Sequence, residues 1–587
     1  MSADPKALLT DLLKTALKSV APDHVETAIL LERPKQASHG DFATNLALQL
    51  AKPLKRNPRE LAALLLAELP PSALLAKTEV AGAGFINFTL ATAAKTRVVS
   101  TVLAQGADYG RGAANRCRVL VEFVSANPTG PLHVGHGRGA AYGASLAEVL
   151  AFAGYDVARE YYVNDAGRQM DILALSTWLR YLAFFGIEVP FPPNAYQGSY
   201  VLDMGREMRD AHQDRFARVT AAQVLAGTPG LPPAERKDDE AKAQRELHLD
   251  ALIANAKRLL GEDYPWVHGF ALNEQLGDGR EDLNEFGVRF DKWFSEQSLF
   301  DTGLVERAVS QLERQGHLYL QDGAKWFRST AFGDEKDRVV QRENGLYTYF
   351  ASDIAYHLNK YERGFDRIID IWGADHHGYI PRVRGAIAAL GLPPEKLEVA
   401  LVQFAVLYRD GQKTSMSTRS GEFVTLRELR REVGNDACRF FYVLRKSDQH
   451  LDFDLDLAKS QSNENPVYYV QYAHARVCSV LNQWDGEAAE LAGADLGLLQ
   501  HERELALCAR LASFPELVQN AAQDYAPHQI AFYLKDLAAD FHGWYNAERM
   551  LVEDEALKLA RLALAAAVRQ VLVSGLALLG VSAPQSM

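Results

Sequence analysis

The sequence predicts a multidomain protein, with a doubly wound α/β (Rossmann-like) domain in the middle, an α+β domain before it and an all-α helical bundle after it. The chain has 587 residues, whereas one domain takes roughly 100–200, so several hydrophobic cores are expected. A strand–loop–helix–strand pattern begins near residue 118, and strand signals stop after Leu457. We therefore expect domains at residues 1–110, 111–457 and 458–587.

The composition indicates a globular protein of the cytoplasm. Hydrophobic residues make up 48% of the chain and charged residues 24%, which excludes a disordered chain. The four cysteines form no CxxC pair, which argues against a disulfide framework and a thiolate zinc site. No run of about 20 uncharged apolar residues predicts a membrane span, and Met1 to Lys18 lacks the apolar core of a signal peptide. The net charge of −12 leaves any RNA contact to local patches.

The first 110 residues mix helical and strand patterns. Apolar residues recur at helical spacing from Leu8 to Leu17, and further helices are expected at Asp41 to Leu50 and Leu61 to Leu69. Alternation within Val80 to Leu90 predicts one strand. The glycines and asparagine of Gly106 to Asn115 predict a linker to the next domain.

The middle of the chain begins with a βαβ unit. Arg118 to Val124 is an apolar, β-branched run, as expected of a buried strand in a parallel sheet. Residues 126–131 form a loop, because two prolines and a glycine cannot continue a strand. A helix from His133 to Ala153 and a strand from Val157 to Val163 complete the unit, which opens a nucleotide-binding fold.

An insertion interrupts the α/β pattern. Pro-rich stretches and a charged run predict an insertion with helices at about 190–340, which includes a β-rich piece near Tyr319 to Phe332. Strand signals resume at Phe365 to Trp372 and at Val399 to Tyr408. From residue 458 onward the pattern is helical and predicts a terminal bundle.

The tetrapeptide His133-Val-Gly-His136 carries the clearest chemical signal. It lies where the glycine/proline loop enters the helix, and a helix N-terminus attracts phosphate through its dipole and unpaired N–H groups. Two imidazoles there can reach the phosphates of ATP, and Gly135 leaves room for the nucleotide. A metal pair at i, i+3 or an inconsequential N-cap histidine would also fit the tetrapeptide alone, but the strand–loop–helix setting favours phosphate binding.

A second loop, Gln412 to Gly421, is rich in small hydroxyl residues and includes Lys413 and Arg419. Such a loop can close over a triphosphate and offer hydroxyl, amide and cationic donors. Taken alone, an ordinary solvated loop is the favoured explanation.

Together the two loops resemble the two signatures of class I aminoacyl-tRNA synthetases, and their flanking residues resemble the arginyl-tRNA synthetases of bacteria. The second signature is degenerate, because Ser415 and Thr418 stand where the family usually has lysines. The resemblance covers nearly the whole chain and rests on Val121 to His136, Ser415 to Arg419, Asn435 to Tyr442, Glu464 to Arg476, His39 to Asn45 and Gly84 to Phe88.

The resemblance implies an ATP-dependent arginine–tRNA ligase. Such an enzyme activates L-arginine to arginyl-adenylate and then esterifies the 3′-terminal ribose of the arginine tRNA. The expected partners are arginine tRNA, L-arginine and ATP with substrate-bound Mg²⁺; no metal ligated by the protein, no membrane and a monomer are expected. The main alternative is a tRNA-binding relative without activation activity, supported only by the degenerate signature. Another class I synthetase and a small adenylate-forming ligase are further alternatives, and the two flanking domains disfavour the small ligase.

The resemblance and the side-chain chemistry assign candidate site residues. A guanidinium requires carboxylates and aromatic faces, and Tyr349 and Asp353 at i, i+4 share one helix face. The first signature, expected to bind ATP with the rest of the nucleotide site, comprises Ala126, Asn127, Pro128, Thr129, Gly130, Pro131, Leu132, His133, Val134, Gly135 and His136. The second loop contributes Lys413, Met416, Ser417, Thr418 and Arg419. The candidates for arginine are Glu122, Ser125, Asn127, Tyr349 and Asp353, with Asp375, His376 and His377 assigned to the adenosine/arginine pocket.

For tRNA the candidates are Asn87 in the first domain and Gln471, Tyr472 and Arg476 in the bundle. Aromatic side chains and an arginine suit the unpaired bases of an anticodon loop. The tyrosines in this stretch could equally be core residues with a polar face beside them. In the same way, a lone helical aspartate such as Asp353 is without the resemblance more often part of a solvated face.

Overall fold

The structure is a computed structural model that describes residues 5–34, 36, 39–414 and 424–587. It has the predicted three-domain architecture, with a parallel sheet at its centre. The candidates Met416, Ser417, Thr418 and Arg419 lie outside the described residues.

The N-terminal domain packs three helices against an antiparallel sheet and has its own hydrophobic core. The predicted strand at Val80 to Leu90 is instead the end of one strand and all of the next, because Gly82 and Gly84 adopt positive φ and turn the chain. The predicted helix at Asp41 to Leu50 starts with a strand. The elements are α1 (Pro5–Val20), β1 (Phe42–Thr44), α2 (Leu46–Ala51), α3 (Pro58–Ala67), β2 (Leu75–Ala81) and β3 (Phe85–Leu90).

The chain then enters the central domain through a helix that packs against the C-terminal bundle, and the predicted βαβ unit follows. A helical excursion separates its second strand from the third. The elements are α4 (Thr92–Gln105), β4 (Arg118–Glu122), α5 (Val134–Phe152), β5 (Asp156–Val163), α6 (Arg168–Ala183), α7 (Ser199–His212), α8 (Ala221–Val224), α9 (Asp239–Leu260), α10 (Tyr264–Glu285) and β6 (Lys292–Ser295).

The predicted insertion at 190–340 is not one block. Its helical part ends with α10, because the chain then returns to the central sheet as β6, which pairs in parallel with β5. The predicted β-rich piece follows as a separate small antiparallel sheet, and the central sheet then resumes. The elements are α11 (Gln297–Asp301), α12 (Leu304–Arg314), β7 (Leu318–Gln321), β8 (Ala324–Phe327), β9 (Arg338–Gln341), α13 (Tyr349–Glu362), β10 (Arg367–Gly373), α14 (Ile380–Ala389) and β11 (Leu397–Val402).

Beyond the sheet, the predicted strand at Val399 to Tyr408 is broken at Gln403 and Phe404, and its second half joins another small sheet. The helical bundle follows. The elements are β12 (Ala405–Arg409), β13 (Gln412–Lys413), α15 (Leu426–Val433), α16 (Asn435–Tyr442), β14 (Leu451–Asp454), α17 (Leu455–Lys459), α18 (Pro466–Gln483), α19 (Ala488–Ala492), α20 (Glu502–Gln523), α21 (His528–Ala547) and α22 (Glu555–Leu578).

Helix α22 is long and apolar enough to cross a bilayer by composition alone. It is instead the core helix of the bundle: 78% of its most apolar window is buried, and it packs against α18, α20 and α21.

The central sheet is parallel throughout, with strand order β11-β10-β4-β5-β6. The order reverses direction between β4 and β10, which come from the two halves of the domain. In doubly wound sheets, ligands bind outside the carboxyl ends of the strands at this switch point. The topology therefore directs attention to the residues that follow Glu122 and Gly373.

Candidate active site

A cavity of about 470 Å³ lies at the switch point of the sheet. It is bounded by the ends of β4, β10 and β11 and by the first turn of α5, as the sequence predicted for the nucleotide site. The lining residues are Val124, Ser125, Ala126, Asn127, His133, Gly135, His136, Gly139, Ile371, Trp372, Gly373, Asp375, His376, Val402, Gln403 and Phe404.

The loop after β4 carries two strained residues. Val124 and Ser125 have φ of 69° and 44°, although neither is glycine and valine is β-branched. Ser125 Oγ donates to Glu122 at 2.9 Å and accepts the N–H of Tyr162 at 3.1 Å, so the turn is tied to β4 and β5. Such strain persists only where the surroundings enforce it, and it is characteristic of functional sites.

The signature loop is pinned from several sides. The Asn164 amide donates to Asn127 Oδ1 at 3.0 Å, and the Tyr200 hydroxyl of α7 donates to the Thr129 carbonyl at 2.6 Å. Farther along, Leu132 and Val134 exchange backbone hydrogen bonds with the segment that follows residue 423, since Leu426 N donates to Leu132 O and Val134 N to Val424 O. The first signature thus lies against residues 424–426, which follow the second loop in the chain.

Both signature histidines lie at the start of α5, with their rings stacked 3.7 Å apart. His133 is the N-cap, and its Nδ1 accepts the N–H of Gly135 at 3.1 Å; Nδ1 of His136 accepts the N–H of His133 at 3.3 Å. Because both Nδ1 atoms are acceptors, each neutral ring carries its proton on Nε2. A Cβ on Gly135 would lie 2.8 Å from the His133 ring, so the glycine makes room first of all for this histidine.

Both histidines are neutral near pH 7. Burial lowers the pKa of His133, and burial together with the neighbouring His133 lowers the pKa of His136 to about 3. The pair therefore offers N–H donors without carrying charge, and the helix N-terminus supplies the positive potential.

Of the remaining candidates at this end, Asp375 and His376 line the cavity and are exposed. His377 turns back toward its own segment, with Nδ1 3.3 Å from the Ala374 carbonyl, and does not line the cavity. Lys413 lies exposed at the end of β13, on the strand that leads into the second loop.

Two neighbouring carboxylates, Asp353 and Glu296, form a group that we call the carboxylate pocket. Asp353 lies one turn into α13 and accepts a hydrogen bond from the Tyr379 hydroxyl. Glu296 immediately follows β6 and is 3% exposed. Tyr162 links the two, since its hydroxyl lies beside Glu296 and its ionisation is opposed by both carboxylates. Within the described part of the chain, Glu296 Oε2 has no hydrogen-bond partner.

The pKa values of both carboxylates are raised. Burial, and then the charge of Asp353, raises the pKa of Glu296 to about 7. Burial also raises the pKa of Asp353, despite the hydrogen bond from Tyr379. A buried acceptor without a partner and two carboxylates that resist ionisation describe a pocket for a cation with several N–H donors.

Tyr349 begins α13, so the predicted i, i+4 relation to Asp353 holds. Its ring is 58% exposed, and its hydroxyl would lie 3.5 Å from a Cβ on Gly167, across from the loop after β5. The ring is therefore exposed on the same face of α13 as Asp353.

Glu122 lies below the strained loop and is 9% exposed. Its Oε1 accepts from Ser125, and its Oε2 accepts from the buried Lys360 at 2.5 Å. Both oxygens are thus engaged within the protein, so the structure places Glu122 under the site, whereas Ser125 and Asn127 line it.

Glu296 was missed by the sequence reasoning. The predicted insertion at about 190–340 includes residues 292–295, so the sequence gives no sign that the next residue follows a strand of the central sheet. Had β6 been identified as the third parallel strand, its carboxyl end would have marked Glu296 as a ligand-site residue.

Two of the predicted tRNA contacts are buried. Asn87 on β3 is 5% exposed and hydrogen-bonds to Glu79 of the neighbouring strand. Gln471 on α18 is 7% exposed, and its amide donates to Asp436 at 2.7 Å and to the Ser582 carbonyl at 3.0 Å. As oriented here, both side chains stabilise the fold and neither projects toward a ligand, because each satisfies its hydrogen bonds internally.

The other two predicted tRNA contacts, Tyr472 and Arg476, lie on the outer face of α18. The guanidinium of Arg476 is 4.4 Å from the ring centre of Tyr472 and 4.7 Å from that of Tyr545 on α21. Tyr472 also stacks on Tyr468 at 5.9 Å, and Arg476 lies 3.5 Å from Asn546 Oδ1. We call Tyr468, Tyr472, Arg476, Tyr545 and Asn546 the aromatic–arginine patch. Tyr545 and Asn546 gave no signal in the sequence, because only the packing of α21 on α18 brings them there.

Among the residues that the structure describes, no three His, Cys, Asp or Glu side chains lie close enough together to hold a metal ion. Asp375 and His376 approach to 3.8 Å but have no third partner of this kind there.

Three family models match the chain along nearly its whole length. They are described as "Arginyl tRNA synthetase N terminal domain" (residues 7–90), "tRNA synthetases class I (R), catalytic domain" (residues 98–181 and 280–451) and "DALR anticodon binding domain" (residues 470–587). The gap in the second match, 182–279, falls in the helical excursion.

Proteins with similar sequences include arginine–tRNA ligases of bacteria. The "Arginine--tRNA ligase" of Azoarcus sp. (strain BH72) is 88% identical over 587 residues, and that of Aromatoleum aromaticum is 83% identical, each covering 100% of both chains. Among solved structures, the arginyl-tRNA synthetase of Thermus thermophilus superposes with a TM-score of 0.72 at 26% identity, covering 99% of this chain and 100% of the other.

Proposed function

The chain belongs to the arginyl-tRNA synthetase family of class I, and from this premise we propose how its residues divide the work of joining arginine to tRNA. It is an arginine–tRNA ligase that uses ATP. The alternative of a tRNA-binding relative without activation is not favoured, since the catalytic-domain match and the full-length identity both point to the ligase.

We propose that the carboxylate pocket selects arginine. The observation that carries this proposal is the unpartnered, buried Oε2 of Glu296 beside the carboxylate of Asp353. A guanidinium presents five N–H donors in a planar fork and remains charged, so it can satisfy both carboxylates at once. Tyr349 lies on the same face of α13 as Asp353, where its ring can stack on the guanidinium plane. A lysine would leave part of this acceptor array unpaired.

At the other end of arginine, Ser125 and Asn127 approach the α-amino and carboxylate groups from the strained loop. The negative charge of Glu122 lies directly below and favours the α-ammonium. This arrangement aims the arginine carboxylate at the α-phosphate of an ATP held in the switch-point cavity.

The first step is an in-line attack of the arginine carboxylate on the α-phosphate, and pyrophosphate leaves. The Nε2–H groups of His133 and His136, at the N-terminus of α5, donate to the phosphates, and Lys413 supplies a cation in place of the absent signature lysine. ATP enters as its Mg²⁺ complex, in which the metal shields the phosphates. Asp375 and His376 line the adenosine side.

The second step transfers the arginyl group from arginyl-adenylate to a hydroxyl of the 3′-terminal ribose of the tRNA, and AMP leaves. The aromatic–arginine patch on α18 and α21 receives the unpaired bases of the anticodon loop, because tyrosine rings stack on bases and the arginine adds charge. We further propose that the domains divide at residues 1–110, 111–457 and 458–587 and that the enzyme works as a cytoplasmic monomer.

The test is amino-acid-dependent ATP–pyrophosphate exchange, measured with each of the twenty amino acids, with and without arginine tRNA. We expect exchange with arginine alone among them. The Glu296→Gln variant should lose arginine-dependent exchange at sub-saturating arginine and keep its KM for ATP. Equal KM values for arginine in Glu296→Gln and the parent enzyme would exclude the proposed pocket.

A further inference from the structure

One lysine joins two carboxylates in the interior beneath the arginine site. Lys360, in the last turn of α13, has no exposed surface, and its Nζ lies 2.5 Å from Glu122 Oε2 and 2.7 Å from Asp370 Oδ1. Lysine is almost never fully buried unless it is paired. Here it bridges α13, β4 and β10, the elements that meet at the switch point of the sheet.

From this bridge, hydrogen bonds run to both parts of the proposed arginine site. Glu122 Oε1 accepts from Ser125, which lines the cavity. On the other side, Asp370 Oδ2 lies 3.0 Å from His357 Nε2, and His357 Nδ1 lies 2.8 Å from the Asp353 carbonyl. The ammonium group of Lys360 therefore connects two parts of the proposed site. One is Glu122, under the proposed position of the substrate's α-amino group, and the other is the segment that carries Asp353, the proposed ligand of the guanidinium.

We propose that Lys360 is a positioning residue for arginine: it keeps Glu122 charged and fixed beneath the strained loop, and it ties that loop to Asp353. The proposal rests on the arginine site proposed above. Lys360 itself reaches neither substrate, because Glu122 and Asp370 occupy its ammonium group on the buried side of the site.

Among the carboxylates around Lys360, Glu122 is the one whose protonation depends most on the charge of Lys360. Burial raises the pKa of Glu122 above its ordinary value even beside Lys360, whereas Lys360 and His357 outweigh burial and hold the pKa of Asp370 low. From β5, Glu160 adds further negative charge, although Arg363 and the Tyr356 hydroxyl pair with it. If Lys360 were removed, Glu122 would therefore take up a proton first.

The Lys360→Met variant tests this directly in arginine- and tRNA-dependent exchange by the full-length enzyme. A neutral, unanchored Glu122 no longer supports Ser125 or attracts the α-ammonium. We expect KM for arginine to rise on the order of tenfold to a hundredfold, the loss typical of a charge-assisted contact. KM for ATP should stay within about twofold, a split that a merely structural defect would not produce.

A second substitution should partly reverse the defect. In Lys360→Met/Asp370→Asn the repulsion from Asp370 is gone, so Glu122 ionises more readily. We expect KM for arginine to fall back toward that of Asp370→Asn. Between about pH 6.5 and about 8.5 it should fall more steeply with rising pH than in Asp370→Asn, where the ionisation of Glu296 alone changes it. Should Lys360→Met not fold, this pH comparison carries the test alone.

Arg363→Met is the matched control. Arg363 lies three residues farther along and pairs with Glu160, so its loss should lower stability but raise KM for arginine far less than Lys360→Met does, because Lys360 still pairs with Glu122. An unchanged KM for arginine in folded Lys360→Met, or the same pH dependence of this KM in the double variant and in Asp370→Asn, would overturn the proposal. Absence of arginine-dependent exchange in the parent enzyme would instead defeat the proposed function.

Discussion

At the scale of single residues, Glu296 decides how arginine binding responds to pH. Its pKa of about 7 in the empty pocket means that it is largely protonated below pH 7, and a protonated carboxyl offers the guanidinium one acceptor fewer. KM for arginine should therefore rise by up to about tenfold per pH unit below pH 7 and level off above it. Exchange kinetics at saturating ATP across about pH 5.5–8.5 measure this.

The same residue should show a conflict between function and stability. A carboxylate whose folded pKa lies above its unfolded value loses stability as the pH rises through the folded pKa. Glu296→Gln removes this cost, so its free energy of unfolding should exceed that of the parent by roughly 1–3 kcal/mol at pH 8, with no gain at about pH 4, below the pKa of an unfolded glutamate. Urea unfolding at the two pH values compares them, and an equal gain at both would contradict the assignment.

Substitution of Lys413 tests whether this residue replaces the lysine that the second signature lacks. It is exposed at the end of β13, the strand that leads into the second loop. If it contacts the β- and γ-phosphates, Lys413→Ala should slow exchange by on the order of tenfold to a hundredfold without changing KM for arginine. Lys336→Ala is the control, because Lys336 is an exposed lysine in the loop before β9. An unaltered exchange rate would exclude Lys413 and leave Arg419 as the candidate.

Residue-level prediction from sequence is possible where chemistry and local pattern coincide. His133 and His136 could be assigned because a histidine pair at a loop–helix junction is visible in the sequence. Asn87 and Gln471 were predicted to contact tRNA, but their exposure depends on which face of a strand or helix packs inward. Glu296 required knowledge of sheet topology, which single-sequence patterns do not contain.

At the scale of elements, α5 is held in place by a buried arginine. Arg138 is 1% exposed and donates to the carbonyls of Gln403, Gln449 and Lys446 at 2.8, 2.7 and 3.0 Å. Burial lowers its pKa to about 10, so it remains charged at neutral pH. It thereby joins the histidine-bearing helix to the β11–β12 wall of the nucleotide cavity.

Arg138→Met should therefore affect both stability and ATP binding. Three carbonyls lose a charged donor, so the free energy of unfolding should fall by about 3–5 kcal/mol. KM for ATP should rise more than KM for arginine, because Gln403 and Phe404 line the nucleotide cavity. Arg138→Lys keeps the positive charge but loses the planar guanidinium, so its free energy of unfolding and its KM for ATP should lie between those of Arg138→Met and the parent. Equal KM values for ATP in all three folded proteins would show that the wall does not depend on Arg138.

The α18–α21 pair carries the corresponding prediction for tRNA. Arg476→Ala removes the cation between Tyr472 and Tyr545, and KM for tRNA should rise by roughly tenfold or more, while KM for arginine and ATP stays unchanged. Ser479→Ala, an exposed residue one turn beyond on α18, should leave all three values unaltered. An unchanged KM for tRNA in Arg476→Ala would remove the patch from the tRNA interface.

The prediction of strands from the sequence failed mainly where a strand is interrupted. The hairpin at Gly82 and Gly84 and the division of β11 from β12 were each predicted as one continuous strand, since alternation continues through both. The break at Gln403 arises because its N–H donates to Ser447 and its carbonyl accepts from Arg138, both distant in sequence. Such breaks are decided by tertiary partners, which local pattern does not specify.

At the scale of the whole molecule, the bundle is bonded directly to the helix that carries the signature histidines. The Tyr142 hydroxyl on α5 donates to the Tyr525 carbonyl at 2.9 Å. Arg439, 1% exposed, donates to the Leu579 carbonyl after α22 at 3.0 Å and lies 3.3 Å from Ser145 Oγ on α5. If tRNA binds at the proposed patch on α18 and α21, it contacts a bundle that is hydrogen-bonded to α5.

This continuity supports the expectation, implied by the family resemblance, that activation requires bound tRNA. We expect arginine-dependent exchange to be slow without tRNA and to rise at least tenfold with it. Arginine tRNA with an oxidised 3′-terminal ribose cannot accept arginine, so it separates the two roles of tRNA and should still raise exchange. Arg439→Met, which cuts the link between α22 and α5, should lower this stimulation more than it lowers tRNA affinity. Full exchange without tRNA would mean that the site at α5 is already organised in the free enzyme.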